Sequence, residues 1–162
     1  MRLKALVAGL MTIVIVCGCK STAALEPTNS TFQLQWHLAS EKHLPGFVNM
    51  SQLEVRKNSG TLWVAPEPIL RLSDISNAAR SNSGDSFLYL TVKVSSRSGL
   101  QSYTASHLRD LLALILQGKI VYVAILAAPL SQQMIVRIGE DGISDAQAAD
   151  IIQAVRDGGV AK

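Results

Sequence analysis

Residues 1–19 constrain the rest of the chain most, because their pattern is not that of a folded domain. Residues 1–4 (MRLK) form a short basic segment, and residues 5–16 form a predominantly apolar run. A run of about a dozen apolar residues is too short for a membrane-spanning helix, which needs about 20. A basic start followed by such a run is typical of a secretory signal, so the chain is predicted to be exported.

The end of this run has two cysteines, in the order Val16-Cys17-Gly18-Cys19. This pattern resembles the bacterial lipobox, with Cys17 where Ala, Ser or Thr is usual. The resemblance implies that residues 1–18 are removed and that Cys19 carries the lipid. Small Gly18 precedes Cys19, whereas bulky Val16 precedes Cys17, so Cys19 is favoured as the modified residue. An ordinary signal peptide with two incidental cysteines is the alternative.

Charge and cysteine content limit what the exported part can be. The whole chain has a net charge of +3, and removing Arg2 and Lys4 lowers Lys plus Arg from 15 to 13 against 12 acidic residues. A net charge of about +1, with arginines spread along the chain, gives no support for a nucleic-acid partner. No cysteine follows Cys19. The folded part therefore depends on a hydrophobic core rather than on disulfides or thiol-bound metal.

The residues after Cys19 indicate how the domain is held. Lys20 stands where an aspartate would favour retention in the inner membrane, so the outer membrane is favoured. Residues 21–31 are rich in Ser, Thr and Ala and have no periodicity, which predicts a tether. The predicted organisation is a signal over residues 1–18, a tether over 19–31 and one domain over 32–162.

The predicted domain begins with a strand. Residues 32–38 (FQLQWHL) alternate apolar and polar side chains. This period of two predicts a strand that points Phe32, Leu34, Trp36 and Leu38 into a core.

Short elements are predicted next. Residues 52–56 and 61–64 are two strand predictions joined by a polar turn. Residues 66–79 are predicted as a strand end followed by a short helix, with Ser73 as N-cap and Asp74 in its first turn.

The middle of the chain is the most apolar part. Residues 87–94 are predicted as an inner strand, because they are rich in β-formers and apolar on both faces. Leucines and isoleucines at helical spacing predict a helix over 98–116 that Gly118 ends. Residues 119–126 are predicted as a central strand, and residues 133–138 as the strand that returns antiparallel to it.

The last helix is the best delimited. Ser144 and Gln147 form a capping-box pattern and Gly158 follows the helix. Its apolar stripe is Ala148, Ile151, Ile152 and Val155. Interleaved strands and helices predict the α+β class, with a small mixed or antiparallel sheet and about three helices packed on one face.

Residues 61–158 resemble the head subdomain of the first periplasmic domain of SecD, the membrane partner of the export translocon. Residues 62–78 are similar to the family's first strand, apolar link and following helix. Residues 87–125 match a strand, a threonine-containing helix and a strand that starts with Gly-Lys. Residues 128–152 match the family's Ala-Pro pair, a further strand and the last helix.

The resemblance implies a fold more than an activity, since these blocks contain core residues, caps and turns. SecD continues into transmembrane helices with charged residues for proton coupling, and the present chain has no segment that matches them. What the likeness implies is a periplasmic module of the kind that contacts unfolded or emerging polypeptide in SecD.

The sequence offers little catalytic chemistry. His37, His43 and His107 are scattered without metal-ligand spacing, so packing or solvent-facing roles are favoured over a zinc or triad role. Glu140 and Asp141 lie in a turn before a helix, and a solvated turn is favoured over a calcium site. No nucleophile elbow or phosphate-binding loop is present. Neither a cofactor, a metal nor an enzymatic activity is predicted.

Two tryptophans remain as candidates for binding. Core packing is the favoured interpretation for Trp36 and Trp63, since each has apolar neighbours in a strand pattern. The alternative for Trp63, with Val64 and Pro66, is a peptide-binding edge to which a partner adds a strand.

The function predicted from the sequence is a membrane-anchored, non-catalytic protein- or peptide-binding lipoprotein that faces the periplasm. Its partner is predicted to be an envelope protein or peptide. A periplasmic binder or sensor of small molecules or envelope polymers is the alternative, with a pocket between sheet and helices. A hydrolase is a third option, for which the sequence gives no nucleophile and base.

Overall fold

A computed structural model describes residues 32–50, 61–81 and 86–158. The elements, in chain order, are β1 (Leu34–Ser40), β2 (Val48–Asn49), β3 (Trp63–Val64), β4 (Leu70–Arg71), a 3-10 turn (Leu72–Asp74), β5 (Ile75–Arg80), β6 (Phe87–Val92), α1 (Val94–Ala105), β7 (Leu111–Leu116), β8 (Lys119–Ile125), β9 (Gln133–Arg137) and α2 (Asp145–Arg156). The signal, the tether, Cys19 and the strand predicted over 52–56 lie outside the described residues. Within those residues, neither helix has the length and apolar character needed to cross a bilayer.

The larger sheet has β1 at its centre, in the order β2–β3–β1–β7–β8, with β4 also paired to β1. All of its pairings are antiparallel. Leu34, Trp36 and Leu38 are buried as predicted, but His37 and Ala39 on the opposite face are buried too. β1 is therefore covered on both faces, which alternation in its sequence does not indicate.

The helix predicted over 98–116 is wrong in its second half. α1 ends at Ala105, and residues 111–116 form β7, which pairs with β8 as a hairpin. Gln117 and Gly118 join the two strands with φ values of 50° and 76°. Two positive φ values match the two-residue turns that hairpins prefer, so Gly118 belongs to a turn and is not a helix cap.

The sequence predicted that residues 133–138 pair with residues 119–126, and this pairing is also wrong. β9 joins a second sheet of order β5–β6–β9, in which Met134 lies opposite Leu90 and Val136 opposite Leu88. These four side chains are buried. The inner position predicted for β6 is confirmed, whereas β8, predicted as central, is the outer strand of the larger sheet among the described strands.

The helix predicted over residues 73–79 is a single 3-10 turn followed by β5. The N-cap of that turn is Arg71 rather than Ser73, and the Asp74 carboxylate accepts the Arg71 backbone N–H at 2.9 Å. From Ile75 onward the chain pairs with β6. Pairing with the next strand has overridden the local preference for a helix.

The prediction for α2 is confirmed. The Ser144 hydroxyl accepts the Gln147 N–H at 3.1 Å, and the Gln147 side chain accepts the Ser144 N–H at 2.8 Å. Ala148 and Ile151 are buried against the smaller sheet and join a core cluster with residues of both sheets. The α+β class is confirmed, and in the described ranges the strands are divided between two antiparallel sheets and accompanied by two α-helices and one 3-10 turn.

Candidate partner-binding site

Trp63 lies on β3, where the sequence proposed a partner-binding segment. Its ring is half-buried and makes an edge-to-face contact with His43, with ring centroids 4.3 Å apart and planes at 68°. Leu44, next to His43 in the chain, is 41% exposed, and exposed Pro66 follows β3. Val48 of β2 is 55% exposed, but it pairs with Val64, so its side chain lies on the opposite face of the sheet from that of Trp63. We call Trp63, His43, Leu44 and Pro66 the Trp63 surface.

His37 holds this segment from behind. Its ring is buried, and Nδ1 lies 2.8 Å from the carbonyl oxygen of Ala65, just after β3. Since a carbonyl only accepts, Nδ1 carries the hydrogen. The Ala65 N–H donates in turn to the carbonyl of Leu38 at 2.9 Å. Burial is the main cause that lowers the pKa of His37, with a smaller contribution from Arg71, while the bond to Ala65 opposes the shift.

The loop that displays Pro66 arises because β3 and β4 are two short strands that pair with different parts of β1. The Ile69 N–H donates to the Trp36 carbonyl at 2.7 Å and brings the chain back to β1. Glu67 and Arg71 form an exposed ion pair at 3.8 Å across the loop. The loop leaves the pairing with β1 near Pro66. Since proline has no backbone N–H, no hydrogen-bond donor is left unpaired at that position.

The structure separates the three residues that the sequence grouped. Trp63 and Pro66 are accessible, whereas Val64 is buried in a cluster with Ala39 and Ile115. β3 pairs with β1 on one side and β2 on the other, so a partner strand cannot add to β3 itself. A role of Trp63 and Pro66 in partner binding stays a prediction.

Leu44 was not identified from the sequence as part of a site. It precedes the Pro45-Gly46 break, in a segment without periodicity. The contact of His43 with Trp63 brings this segment to β3, and the sequence gives no local signal for that contact.

The remaining histidine lies at the end of α1. His107 Nδ1 and Asp110 Oδ2 are 2.9 Å apart, and the His107 ring lies 4.7 Å from that of Tyr103. Asp141 forms an exposed ion pair with Arg137 at 3.6 Å, which fits the solvated turn predicted there. In the part of the chain that the structure describes, no three His, Cys, Asp or Glu side chains come together as metal ligands.

A shallow depression of about 210 Å³ lies where the start of β1 meets the 3-10 turn. Its lining includes Phe32, Gln33, Leu34, Arg71 and Leu72. Binding sites for small ligands usually have about 300–1,000 Å³, so this depression gives no particular support to the small-molecule alternative.

No protein-family model matches the chain, and no curated protein matches it significantly in sequence. Solved structures do match. One is SecDF, described as a membrane component that enhances protein export, with a TM-score of 0.57 and 14% identity. It aligns with 82% of this chain and 64% of its own. The fold is SecD-like.

A second match is SecDF in a super-membrane-facing form, with a TM-score of 0.57 and 17% identity over 82% of this chain. This chain spans less than two thirds of either matched chain, 64% of the first and 19% of the second. The SecD-like fold agrees with the resemblance found in residues 61–158. Identities this low establish the fold alone, and a fold hosts many functions.

Proposed function

We propose that this chain is a lipid-anchored, non-catalytic binding module on the periplasmic side of a bacterial envelope. Its partners are proteins or peptides of the export or envelope-assembly machinery. The observation that carries the proposal is the half-buried Trp63 ring in contact with His43, next to exposed Leu44, on a SecD-like fold.

The fold supports the link with export. SecDF, which shares it, enhances protein export. On this proposal, the domain lies next to polypeptides that are being exported.

The chemistry of the Trp63 surface supports binding to polypeptide. Tryptophan is enriched among the residues that dominate binding energy at protein interfaces. Here the Trp63 ring has its orientation fixed by His43, and His37 fixes the backbone behind it. Leu44, next to His43 in the chain, adds exposed apolar area. An apolar segment of a partner chain would bury the exposed parts of Trp63 and Leu44 and gain free energy in proportion to the apolar area removed from water.

Lipid modification of Cys19 completes the proposal. An anchor followed by the tether of residues 19–31 would confine the domain to a thin layer next to the membrane. Such confinement raises the effective concentration of membrane-bound partners, so that a weak contact at the Trp63 surface is sufficient.

The experiment for partner binding is photo-crosslinking in living cells with the full-length chain. A photoreactive amino acid replaces Leu44, and in a matched control it replaces Ile135, which is 53% exposed on the smaller sheet. Discrete adducts with export substrates or envelope proteins are expected at position 44 only. Adding Trp63→Ala should reduce those adducts, while Trp63→Phe should retain most of them. The same adducts at both positions, or none at position 44, would contradict the proposal.

The anchor is tested separately by labelling cells with radioactive palmitate. Label is expected in the unmodified chain and in Cys17→Ser, and it should be lost in Cys19→Ser. Equal labelling of both serine variants would show that Cys19 is not the lipidated residue. This test does not involve the Trp63 surface. The lipid anchor and the binding function can therefore be refuted independently.

A further inference from the structure

Arg109 has a backbone conformation that usually requires glycine. It lies after α1 in a turn in which the Asp110 N–H donates to the His107 carbonyl at 3.1 Å, and its φ is 75°. A positive φ at the third position of a turn is the type II pattern, which favours glycine because a Cβ is disfavoured there. The Arg109 N–H donates to the Leu126 carbonyl, and the Leu126 N–H donates to the Asp110 carbonyl, both at 2.9 Å. Two residues thus lie opposite one, which is a bulge whose first residue is also usually glycine.

The side chain of Arg109 has no charged partner that would account for this strained position. Arg109 is exposed, and among the described residues the ion pairs of arginine are those of Arg71, Arg80 and Arg137. The carboxylate of the neighbouring Asp110 lies 2.9 Å from the imidazole of His107 instead. Strained backbone is commonly retained at binding sites, where a bulge directs a side chain to a ligand. The guanidinium of Arg109 is therefore available to a group outside the chain.

Arg109 lies at the same end of the larger sheet as Trp63. β1 pairs with β3 through Ser40 and Trp63, and with β7 through Ala39 and Leu111. Arg109 is two residues before Leu111, so one strand, β1, separates it from Trp63. Neighbouring strands are about 4.8 Å apart, which places the two backbone positions about 10 Å from each other. An extended polypeptide covers that distance in about three residues.

Exposed apolar side chains accompany Arg109. Leu108 and Tyr103 are each 45% exposed, and the Tyr103 ring lies 4.7 Å from that of His107. Tryptophan, tyrosine and arginine are the residue types enriched among those that dominate binding energy at protein interfaces. Trp63, Tyr103 and Arg109 supply all three. This combination suits a partner that presents apolar side chains together with an anionic group.

We propose that Arg109 binds an acidic side chain of the same polypeptide segment that contacts Trp63, which rests on the function proposed above. The partner segment is apolar and has an aspartate or glutamate about three residues from the side chain that contacts Trp63. The guanidinium donates two parallel N–H bonds to that carboxylate, a geometry that the planar group matches. The backbone conformation of Arg109 is thus maintained for binding rather than for stability.

Replacing Arg109 with glycine separates binding from stability. The full-length chain carries the photoreactive residue at Leu44 in living cells, and adduct yields are compared with and without Arg109→Gly. The yield is expected to fall several-fold, while the urea midpoint stays the same or rises because glycine adopts this φ without strain. Gln117→Gly is the matched control, because Gln117 also has a positive φ, of 50°, at the opposite end of β7. It should leave the adduct yield unchanged.

Two further variants test the sign of the charge. Arg109→Lys should retain most of the adducts, and Arg109→Glu should lower their yield at least as much as Arg109→Gly. Equal yields from Arg109→Gly and Gln117→Gly, or adducts that persist in Arg109→Glu, would overturn the role of Arg109 and leave the function proposed above standing. Captured segments that mass spectrometry shows to lack aspartate and glutamate would do the same. No adducts from Leu44 in the otherwise unmodified chain would overturn both proposals.

Discussion

The imidazole Nδ1 of His37 donates a hydrogen bond of 2.8 Å to the backbone carbonyl of Ala65. This bond joins the central strand β1 to the segment that displays Trp63 and Pro66. Burial lowers the pKa of His37 from its ordinary value of 6.5. The neutral ring is therefore the form that stabilises the folded chain.

The first prediction concerns pH. The unfolded chain binds a proton at His37 near pH 6.5, and the folded chain does so only at a lower pH. The contribution of His37 to the free energy of unfolding should therefore be complete above about pH 7.5 and decrease as the pH falls through about 6.5. Urea denaturation across this range measures the decrease.

Two variants isolate this contribution. His37→Asn keeps a donor near the Ala65 carbonyl and does not titrate, so its stability should lose this part of the pH dependence. Gln101→Asn, an exposed substitution on α1, leaves every histidine in place and should show the slope of the unmodified chain. The same slope in the unmodified chain and in His37→Asn would contradict the assignment.

Thr104 gives the second prediction. Its buried hydroxyl donates to the Leu100 carbonyl at 2.7 Å and accepts the Leu130 N–H at 2.9 Å, linking α1 to the chain beyond β8. Thr104→Val keeps the shape but leaves the Leu130 N–H unpaired, which should lower the free energy of unfolding by about 1–3 kcal/mol. Ser102→Ala, on the exposed side of α1, should change it by less than about 0.5 kcal/mol. Similar losses of unfolding free energy for both variants in urea titrations would refute the link through Thr104.

Two glycines give the third prediction, in which the same substitution has opposite effects. A Cβ at Gly99 or at Gly118 would have no heavy atom within 4 Å, so contacts do not distinguish the two sites. Gly99 lies inside α1, and Gly99→Ala should raise the free energy of unfolding by about 0.5–1 kcal/mol. Gly118 has a φ of +76°, and Gly118→Ala should lower the free energy of unfolding by about 1 kcal/mol or more. Thermal unfolding midpoints that shift in the same direction would be inconsistent with this account.

The fourth prediction tests the start of α2. Ser144→Ala removes the acceptor for the Gln147 N–H and should lower the free energy of unfolding by about 1 kcal/mol. Ser144→Asn retains a capping oxygen and should lose much less. Chemical denaturation of the two variants side by side is the measurement, and equal losses would mean that the cap is not responsible.

The sequence correctly predicted the elements that are stabilised by residues close together in the chain. The capping box of Ser144 and Gln147 and the apolar stripe behind it predicted α2, because the groups that stabilise its start lie within four residues. The alternation of residues 32–38 predicted β1 for a similar reason. The burial of His37 on the opposite face depends on distant residues and could not be predicted.

Pairing between strands explains the errors. The leucine-rich residues 111–116 fit a helical face as well as a strand buried on both sides, and the turn at Gln117 and Gly118 decides for the strand. Residues 75–80 form a strand because they pair with the next strand, β6, and the partner of β9 was wrongly predicted because β6 lies much earlier in the chain. The Trp63 surface was only half predicted, because the contact of His43 with Trp63 joins two segments that are separate in the chain.

The position of β1 has a consequence for how the chain acquires its structure. All six of its pairs with β7, from Leu34 with Leu116 to Ala39 with Leu111, join the beginning of the folded part to a segment far along the chain. Such contacts have a large loop-closure cost and slow folding. A chain that becomes available from its amino terminus therefore cannot complete the larger sheet before residue 116 is available.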